Sequence, residues 1–411
     1  MTHRVAVTGI GIVSPIGIGV RAFWRAVLGG CVAVREITRF DARGFSSRVA
    51  AQVGDFDALA FMGQRRARRT DRFAQFAVAA ARMAVDDAGY DVASRPDETG
   101  VFVGSALGGV AFAEEQHDAF RERGIEAVKP LLATSVFGGA STCNVALEFG
   151  LRGPSVANGN SCASGAVAIG DAFRAVARGD VRVALAGGVE APLSPLVFGA
   201  FDVIHAMSTR NADPEHAARP FDRDRDGFVM AEGAGILVLE RLDDALARGA
   251  RVYGEIAGYG ASTDAYHMTA PQPDGTYVAR AMRMALDEAG VRPGEVDLYD
   301  AHGSSTPLGD AAEVRALCGA LGAEAHTVPI VATKGQHGHA LGATGAWEAA
   351  ISLLAIADGR VPGNVNLEHA DPAFEFAHVS ASRELHPSVV LSNSSGFGGV
   401  NAALVFRRVA A

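Results

Sequence analysis

Lysine is almost missing from this chain. Of its 37 basic residues only two, Lys129 and Lys334, are lysine, so each invites a specific reason. Basic residues are also too few to balance the acidic ones. The net charge of −9 argues against a general nucleic-acid binder, which needs a cationic surplus to displace counterions. Cysteine is scarce and scattered: Cys31, Cys143, Cys162 and Cys318 show neither metal-ligand spacing nor a disulfide framework, which suggests a cytoplasmic protein with free thiols. Long apolar runs are absent. None reaches the roughly 18 residues of a membrane span. The apolar opening at 5–20 is broken by Pro15 and several glycines, with no small-residue cleavage site after it, so it does not read as a signal peptide.

What remains is core material. Hydrophobic residues make up 49% of 411, enough for two or three structural units at roughly 100–200 residues each. Short apolar runs predict strands at 4–9, 99–104, 181–187, 233–240, 252–260, 296–301, 328–333, 389–393 and 402–406. Helical spacing predicts helices at 70–88, 277–289, 310–321 and 341–357, the first capped by Thr70, and an Ala-rich helix entered from the loop at 155–170. Alternation of the two types means an α/β architecture. A composition break near 248–253 divides the chain without a visible sequence repeat.

Four glycine-rich loops could carry chemistry. In Asn160-Ser161-Cys162-Ala163-Ser164-Gly165 a cysteine enters a helix between small residues. There the helix dipole and free N–H groups favour a thiolate, although an isolated cysteine is more often structural. In Ala301-His302-Gly303-Ser304-Ser305-Thr306-Pro307 a histidine follows a strand, at the end where α/β proteins place their sites. In Lys334-Gly335-Gln336-His337-Gly338-His339 a rare lysine precedes two histidines; no third ligand nearby supports a metal site. In Asn393-Ser394-Ser395-Gly396-Phe397-Gly398-Gly399 a phenylalanine between glycines can offer a backbone N–H to an oxyanion and swing its ring as a gate. Two other motifs are set aside. Gly9-Ile10-Gly11 lacks the third glycine of a dinucleotide fingerprint, and the acidic run from Asp222 to Gly227 has its glutamate, Glu232, out of register for a calcium loop.

Together the Cys, His, Lys and His loops make the chain resemble the β-ketoacyl-acyl-carrier-protein synthases of the type II elongating class, from Val5 to Phe406. Supporting stretches are Ser208-Thr209-Arg210-Asn211, Arg219-Pro220-Phe221, Gly227-Phe228-Val229 and the run from Ser262 to Thr269. The resemblance implies a thiolase-like fold of five layers, α-β-α-β-α, in two similar halves. Residues 1–250 would carry the nucleophilic cysteine and 251–411 both histidines. It implies Cys162 as nucleophile, His302 and His339 as its catalytic partners, Lys334 as organiser with Glu348 in support, and Phe397 as gate. Ser304 and Thr306 would hold pantetheine; Leu107, Leu132 and Phe201 would line the acyl pocket, Leu132 from a partner subunit. Arg65, Arg68 and Arg69, within a cluster that includes Arg66 and Arg72, would meet an acidic acyl carrier protein.

The implied reaction is decarboxylative condensation of an acyl thioester with malonyl-carrier in fatty-acid or polyketide synthesis. It needs no metal or resident cofactor, since phosphopantetheine arrives on the carrier. The implied assembly is a homodimer, or a heterodimer with a chain-length-factor-like subunit. The rival function is to be such a subunit; a coenzyme A thiolase is disfavoured because the last cysteine, Cys318, falls in a predicted helix. The chain departs from the family at Ser395, where phenylalanine is usual, at Asn160-Ser161, at Gly335-Gln336-His337, at Trp347, and at Asp202, Val203 and His205. These changes spare the catalytic set and put acyl preference in question, with His337 as an added titratable group near the site.

Overall fold

The computed structural model describes residues 3–409. Ten strands form the frame: β1 (Val5–Ser14), β2 (Thr99–Gly104), β3 (Ser155–Asn158), β4 (Val183–Glu190), β5 (Gly233–Arg241), β6 (Gly254–Thr263), β7 (Leu298–Asp300), β8 (Ile330–Val331), β9 (Val389–Gly396) and β10 (Val400–Arg407). Six helices cover them: α1 (Arg72–Ala88), α2 (Ala140–Phe149), α3 (Ser164–Arg178), α4 (Thr276–Ala289), α5 (Pro307–Leu321) and α6 (Thr344–Asp358). Each half of the chain runs β-α-β-α-β-α-β-β. The strand order is β8-β7-β9-β10-β6-β1-β5-β4-β2-β3, which reads the same from either end once the halves are matched. In both halves the outer three strands are parallel and the last two antiparallel, and β1 meets β6 at the centre.

Packing turns this ribbon into five layers. Helix α1 covers β1, β4 and β5 on one outside, with α2 beside it. Helix α4 covers β6, β9 and β10 on the other, with α5 against it. Helices α3 and α6 lie between the two sheet halves and touch both. An inner helix faces protein on all sides and must be apolar all round. Helix α6 is buried at every position from Thr344 to Ile356, and α3 exposes little beyond its Arg178 end. Small residues set the approach: a Cβ at Gly170 would lie 2.4 Å from the Tyr259 ring, and one at Gly165 would lie 2.6 Å from the Gly342 carbonyl.

Most expected elements are present, with shifted ends. Helix α1 starts at Arg72, after Asp71 rather than Thr70, because the Thr70 hydroxyl donates back to the Arg66 carbonyl at 2.8 Å. The acidic loop at Asp222 spends its carboxylate on the backbone N–H groups of Asp224, Glu368 and His369. Helices Val110–Arg123, α2 and Pro195–Val203 were not expected; the first has too few apolar residues to show a helical stripe. Among the described residues no helix is long and apolar enough to cross a membrane.

Candidate active site

Cys162 sits in a single 3-10 turn, Ser161–Ala163, that opens directly into α3. Ser161 enters it at φ +52°, a region that non-glycine residues rarely occupy. Leu341 does the same at φ +42° in the turn Leu341–Ala343 ahead of α6. The two inner helices thus start from matching elbows, and the match to Cys162 is Gly342. A Cβ there would fall 2.7 Å from the Ala106 nitrogen and 2.9 Å from Glu190 Oε2, so the second elbow has no room for a side chain. Glu190, buried, accepts from the N–H groups of Ala106 (2.7 Å), Leu107 (3.0 Å) and Gly342 (3.0 Å) and from Ser105 Oγ (3.0 Å). It ties the loop carrying Leu107 to that elbow.

His302 follows β7 with its backbone clamped at both ends. Its N–H donates to Glu313 Oε1 and that of Gly303 to Oε2, each at 2.7 Å, and its carbonyl accepts from the Lys334 ammonium. Lys334 also donates to Glu348 on α6. Glu313 further accepts from Tyr299 Oη at 2.6 Å and Asn393 Nδ2 at 2.9 Å. His339 lies alongside Met230: its N–H donates to Val229 O at 2.7 Å, and Ala231 N–H donates to its carbonyl at 3.0 Å. Its Nδ1 is 3.0 Å from Thr344 Oγ1. The His302 and His339 rings stand edge to face, centroids 5.2 Å apart.

One cavity is lined by Cys162, His302, His339, Phe397, Phe201, Phe228, Ser304, Thr306 and Ser395. The Phe397 N–H donates toward the Cys162 sulfur, and its ring stacks on Phe201 at 5.9 Å. Gly396 permits this approach, since a Cβ there would lie 2.9 Å from the Cys162 nitrogen. Burial pushes both imidazoles well below 6.5, and the Lys334 charge adds to the effect, so both rings are neutral near pH 7. Burial also pushes the Cys162 thiol up to about 11, outweighing the Ser161 hydroxyl, the Lys334 charge and the Phe397 N–H that favour the thiolate. The thiolate expected from the helix terminus is therefore not the resting form of Cys162. Glu348 is raised to about 7 by burial, against the pull of Lys334.

Other expected residues divide. Leu107 packs on the apolar cluster that holds Cys162, Phe198 and Phe228. Leu132 opens the one-turn helix Leu132–Ser135 and is not among the cavity's lining residues in the single chain. Ser304 and Thr306 already have partners: Ser304 Oγ lies 2.8 Å from Thr306 Oγ1, which accepts from Gly309 N–H and caps α5. Arg65, Arg68 and Arg69 are exposed along an open groove with Lys129 and have no ion-pair partner among the described residues. Arg66 and Arg72 are spent on Glu148 and Glu232, each at 2.8 Å. His337 is buried outside the cavity. The sequence reading missed Glu190 and Glu313. Their signal was an acidic residue among apolar neighbours, at the end of a strand and inside a helix.

Residues 2–245 match the family described as Beta-ketoacyl synthase, N-terminal domain, and residues 253–368 its C-terminal domain. The chain is 43% identical to a 3-oxoacyl-[acyl-carrier-protein] synthase 2 of Synechocystis sp., over 98% of both chains. Among solved structures it is similar to the ishigamide ketosynthase/chain length factor, with TM-score 0.93, 36% identity and full coverage of both chains. It is also similar to a ketosynthase solved with its type II acyl-carrier protein and bound to the hexaketide, with TM-score 0.92, 34% identity and full coverage of both chains.

Proposed function

The chain belongs to the β-ketoacyl synthase family, and on that premise we propose that it condenses an acyl group held on Cys162 with malonyl-acyl carrier protein, releasing carbon dioxide and 3-ketoacyl-carrier. The observation that carries this reading is the convergence of Cys162, His302 and His339 on one cavity, from segments far apart in sequence. We place the boundary between the halves at 250/251, so that the first supplies the sulfur and the second both rings.

In the first step the Cys162 sulfur attacks the acyl thioester of the carrier. The carbon–sulfur bond to the carrier breaks, and the proton of the resting thiol ends on the departing carrier thiol. Malonyl-carrier then enters, its pantetheine arm passing Ser304 and Thr306. Its carbon–carboxylate bond breaks, carbon dioxide leaves, and the electron pair moves onto the thioester oxygen as an enolate. In the tautomer this step needs, the Thr344 hydroxyl donates to His339 Nδ1 and the ring proton sits on Nε2, facing that oxygen; His302 supplies the second N–H. Neutral rings suit a buried enolate, because they donate without bringing a charge that burial would penalise. The enolate carbon attacks the acyl-Cys162 carbonyl, and the oxyanion formed there lies between the N–H groups of Cys162 and Phe397. One such donor is worth about 3 kcal/mol in the transition state. Collapse of that oxyanion breaks the carbon–sulfur bond to Cys162 and releases the ketoacyl-carrier, and the departing thiolate takes one proton from solvent, replacing the one lost with the first carrier. Lys334 and Glu348 fix the backbone of His302. Each step is served by the chain's own groups, with phosphopantetheine arriving on the carrier.

Arg65, Arg68 and Arg69 form the landing patch for an acidic carrier, steering it electrostatically. A second copy of the chain docks along β3, which ends the sheet with an exposed outer edge that carries Val156. That copy brings Leu132 to the acyl pocket. A chain-length-factor-like subunit is the alternative partner at the same edge. Acting as such a subunit itself is disfavoured, since it has no use for a complete Cys, His and His set. The test is Cys162→Ala. Condensation and acyl capture on the protein, read by intact mass spectrometry, should vanish, while decarboxylation of malonyl-carrier survives. Acyl label retained by that variant would refute the assignment.

A further inference from the structure

His337 and Trp347 are in contact. Their rings stand edge to face at 5.0 Å, and Phe23 lies 6.4 Å from each. All three are fully buried. Both nitrogens of the His337 ring are engaged: Nδ1 is 2.7 Å from the Gly338 carbonyl oxygen and Nε2 is 2.9 Å from Thr333 Oγ1. A carbonyl can only accept, so Nδ1 carries the proton and the Thr333 hydroxyl donates to Nε2. Burial pushes the ring down to about 3, so it stays neutral through the physiological range.

This ring spans the one-turn helix Lys334–His337, joining the residue before Lys334 to the residue before His339. Gly338 is confined from the other side too. It sits at φ +68°, and a Cβ on it would lie 3.1 Å from Ala51, from Ala231 and from the Val229 carbonyl. The peptide between Gly338 and His339 is thereby held at both polar ends, its carbonyl by His337 and its N–H by Val229 O at 2.7 Å. Trp347 braces the arrangement through its Nε1, which donates to Ala234 O at 3.0 Å.

We propose that His337 is a positioning residue that fixes the backbone from which His339 reaches the enolate, an inference that rests on the role given to His339 above. It touches no substrate. Its effect belongs to the step that uses the His339 ring, and a misplaced donor is costly: a 1 Å shift can lose on the order of 100-fold in rate.

The experiment uses the full-length protein and two separate readouts, decarboxylation of malonyl-carrier and acylation of Cys162 by an acyl-carrier. His337→Phe keeps an aromatic ring against Phe23 and Trp347 and removes both nitrogens. It should lower kcat for decarboxylation by about tenfold or more, while KM for malonyl-carrier and the Cys162 acylation rate stay within about twofold. Thr333→Val should lower the same kcat by a smaller factor, and Thr333→Ser should restore it. Should His337→Phe fail to fold, the Thr333 pair decides the matter by the same readouts. Unchanged decarboxylation overturns the proposal, as does an equal fall in both rates, which marks general loosening. His339→Ala is measured beside them. If it retains decarboxylation, the role of His339 falls and this inference falls with it; if it loses decarboxylation while His337→Phe does not, only this inference falls.

Discussion

Replacing Lys334 with methionine removes an ammonium and leaves a side chain of similar reach in the same slot. In the wild type that ammonium donates to the His302 carbonyl and to Glu348, all of them buried. A buried carbonyl left without its donor costs about 1–3 kcal/mol. A buried carboxylate left charged without its partner costs about 3–5 kcal/mol, but Glu348 can avoid that by holding a proton. Burial already raises it to about 7, and the two leading forces that oppose this are the charge and hydrogen bond of Lys334. Without the lysine it rises further. An unfolded carboxyl of this type loses its proton near 4.5. Between 4.5 and 7, therefore, the folded state binds more protons than the unfolded state in both proteins, and both lose stability through this group as pH rises. Above 7 the wild-type group ionises and its slope levels off, while that of the variant continues at about 1.4 kcal/mol per pH unit. The deficit of Lys334→Met should be about 1–3 kcal/mol at pH 6 and larger by about 2 kcal/mol at pH 8.5. Urea unfolding followed by circular dichroism at pH 6, 7 and 8.5, at one protein concentration because subunit association adds to stability, measures it. Measured against Glu348→Gln alone, Lys334→Met combined with Glu348→Gln should show a deficit independent of pH. A single-variant deficit that is flat or shrinks with rising pH would refute the reasoning.

Two more outcomes are expected. Because the resting thiol is raised to about 11, alkylation of Cys162 in the empty protein should quicken about tenfold per pH unit from 7 to 9.5, followed by peptide mass spectrometry so that exposed Cys31 and Cys143 are scored apart. A plateau below pH 8 would mean a thiolate and a site less desolvated than described. Reversing Arg68 and Arg69 to glutamate should weaken acyl-carrier binding on the order of tenfold at low salt and by less at high salt, since the charges are exposed and screened. Calorimetric titration at two ionic strengths checks this, and an affinity that does not move removes the patch from the docking face.

How much of this was legible in the sequence depends on what each feature is made of. Cys162, His302, Lys334, His339 and Phe397 could be picked out because each lies in a run of small residues at an element end, a local pattern. The internal repeat could not. Its two halves share an order of elements and a burial pattern, which many sequences satisfy, and at the matched elbows one carries Cys162 while the other carries Gly342. Glu190 and Glu313 were missed because a carboxylate accepting backbone N–H groups leaves no spacing rule; its partners are residues such as Ala106 and Gly303, whose side chains say nothing.

Protonation was the least legible property, and it changes the chemistry most. The helix-terminus argument for a Cys162 thiolate was local, and the groups that favour the anion in the structure are others: the Ser161 hydroxyl, the Lys334 charge and the Phe397 N–H. The opposing contribution is desolvation, and it is assembled by Phe198, Phe228, Met230 and Leu341, from three other segments. No local reading can sum it. The same desolvation keeps His302 and His339 neutral, the form that the proposed enolate step calls for. An environment dry enough for that second step must also hold the thiol in its protonated form before the first. In the proposed first step the thioester relieves that penalty, because the sulfur passes its proton on as the carbon–sulfur bond exchanges. The high thiol pKa of Cys162 and the low imidazole pKa values of His302 and His339 are thus one property of one apolar pocket, and a substitution that admits water, such as Phe228→Ser, should lower the thiol pKa and raise both imidazole pKa values together.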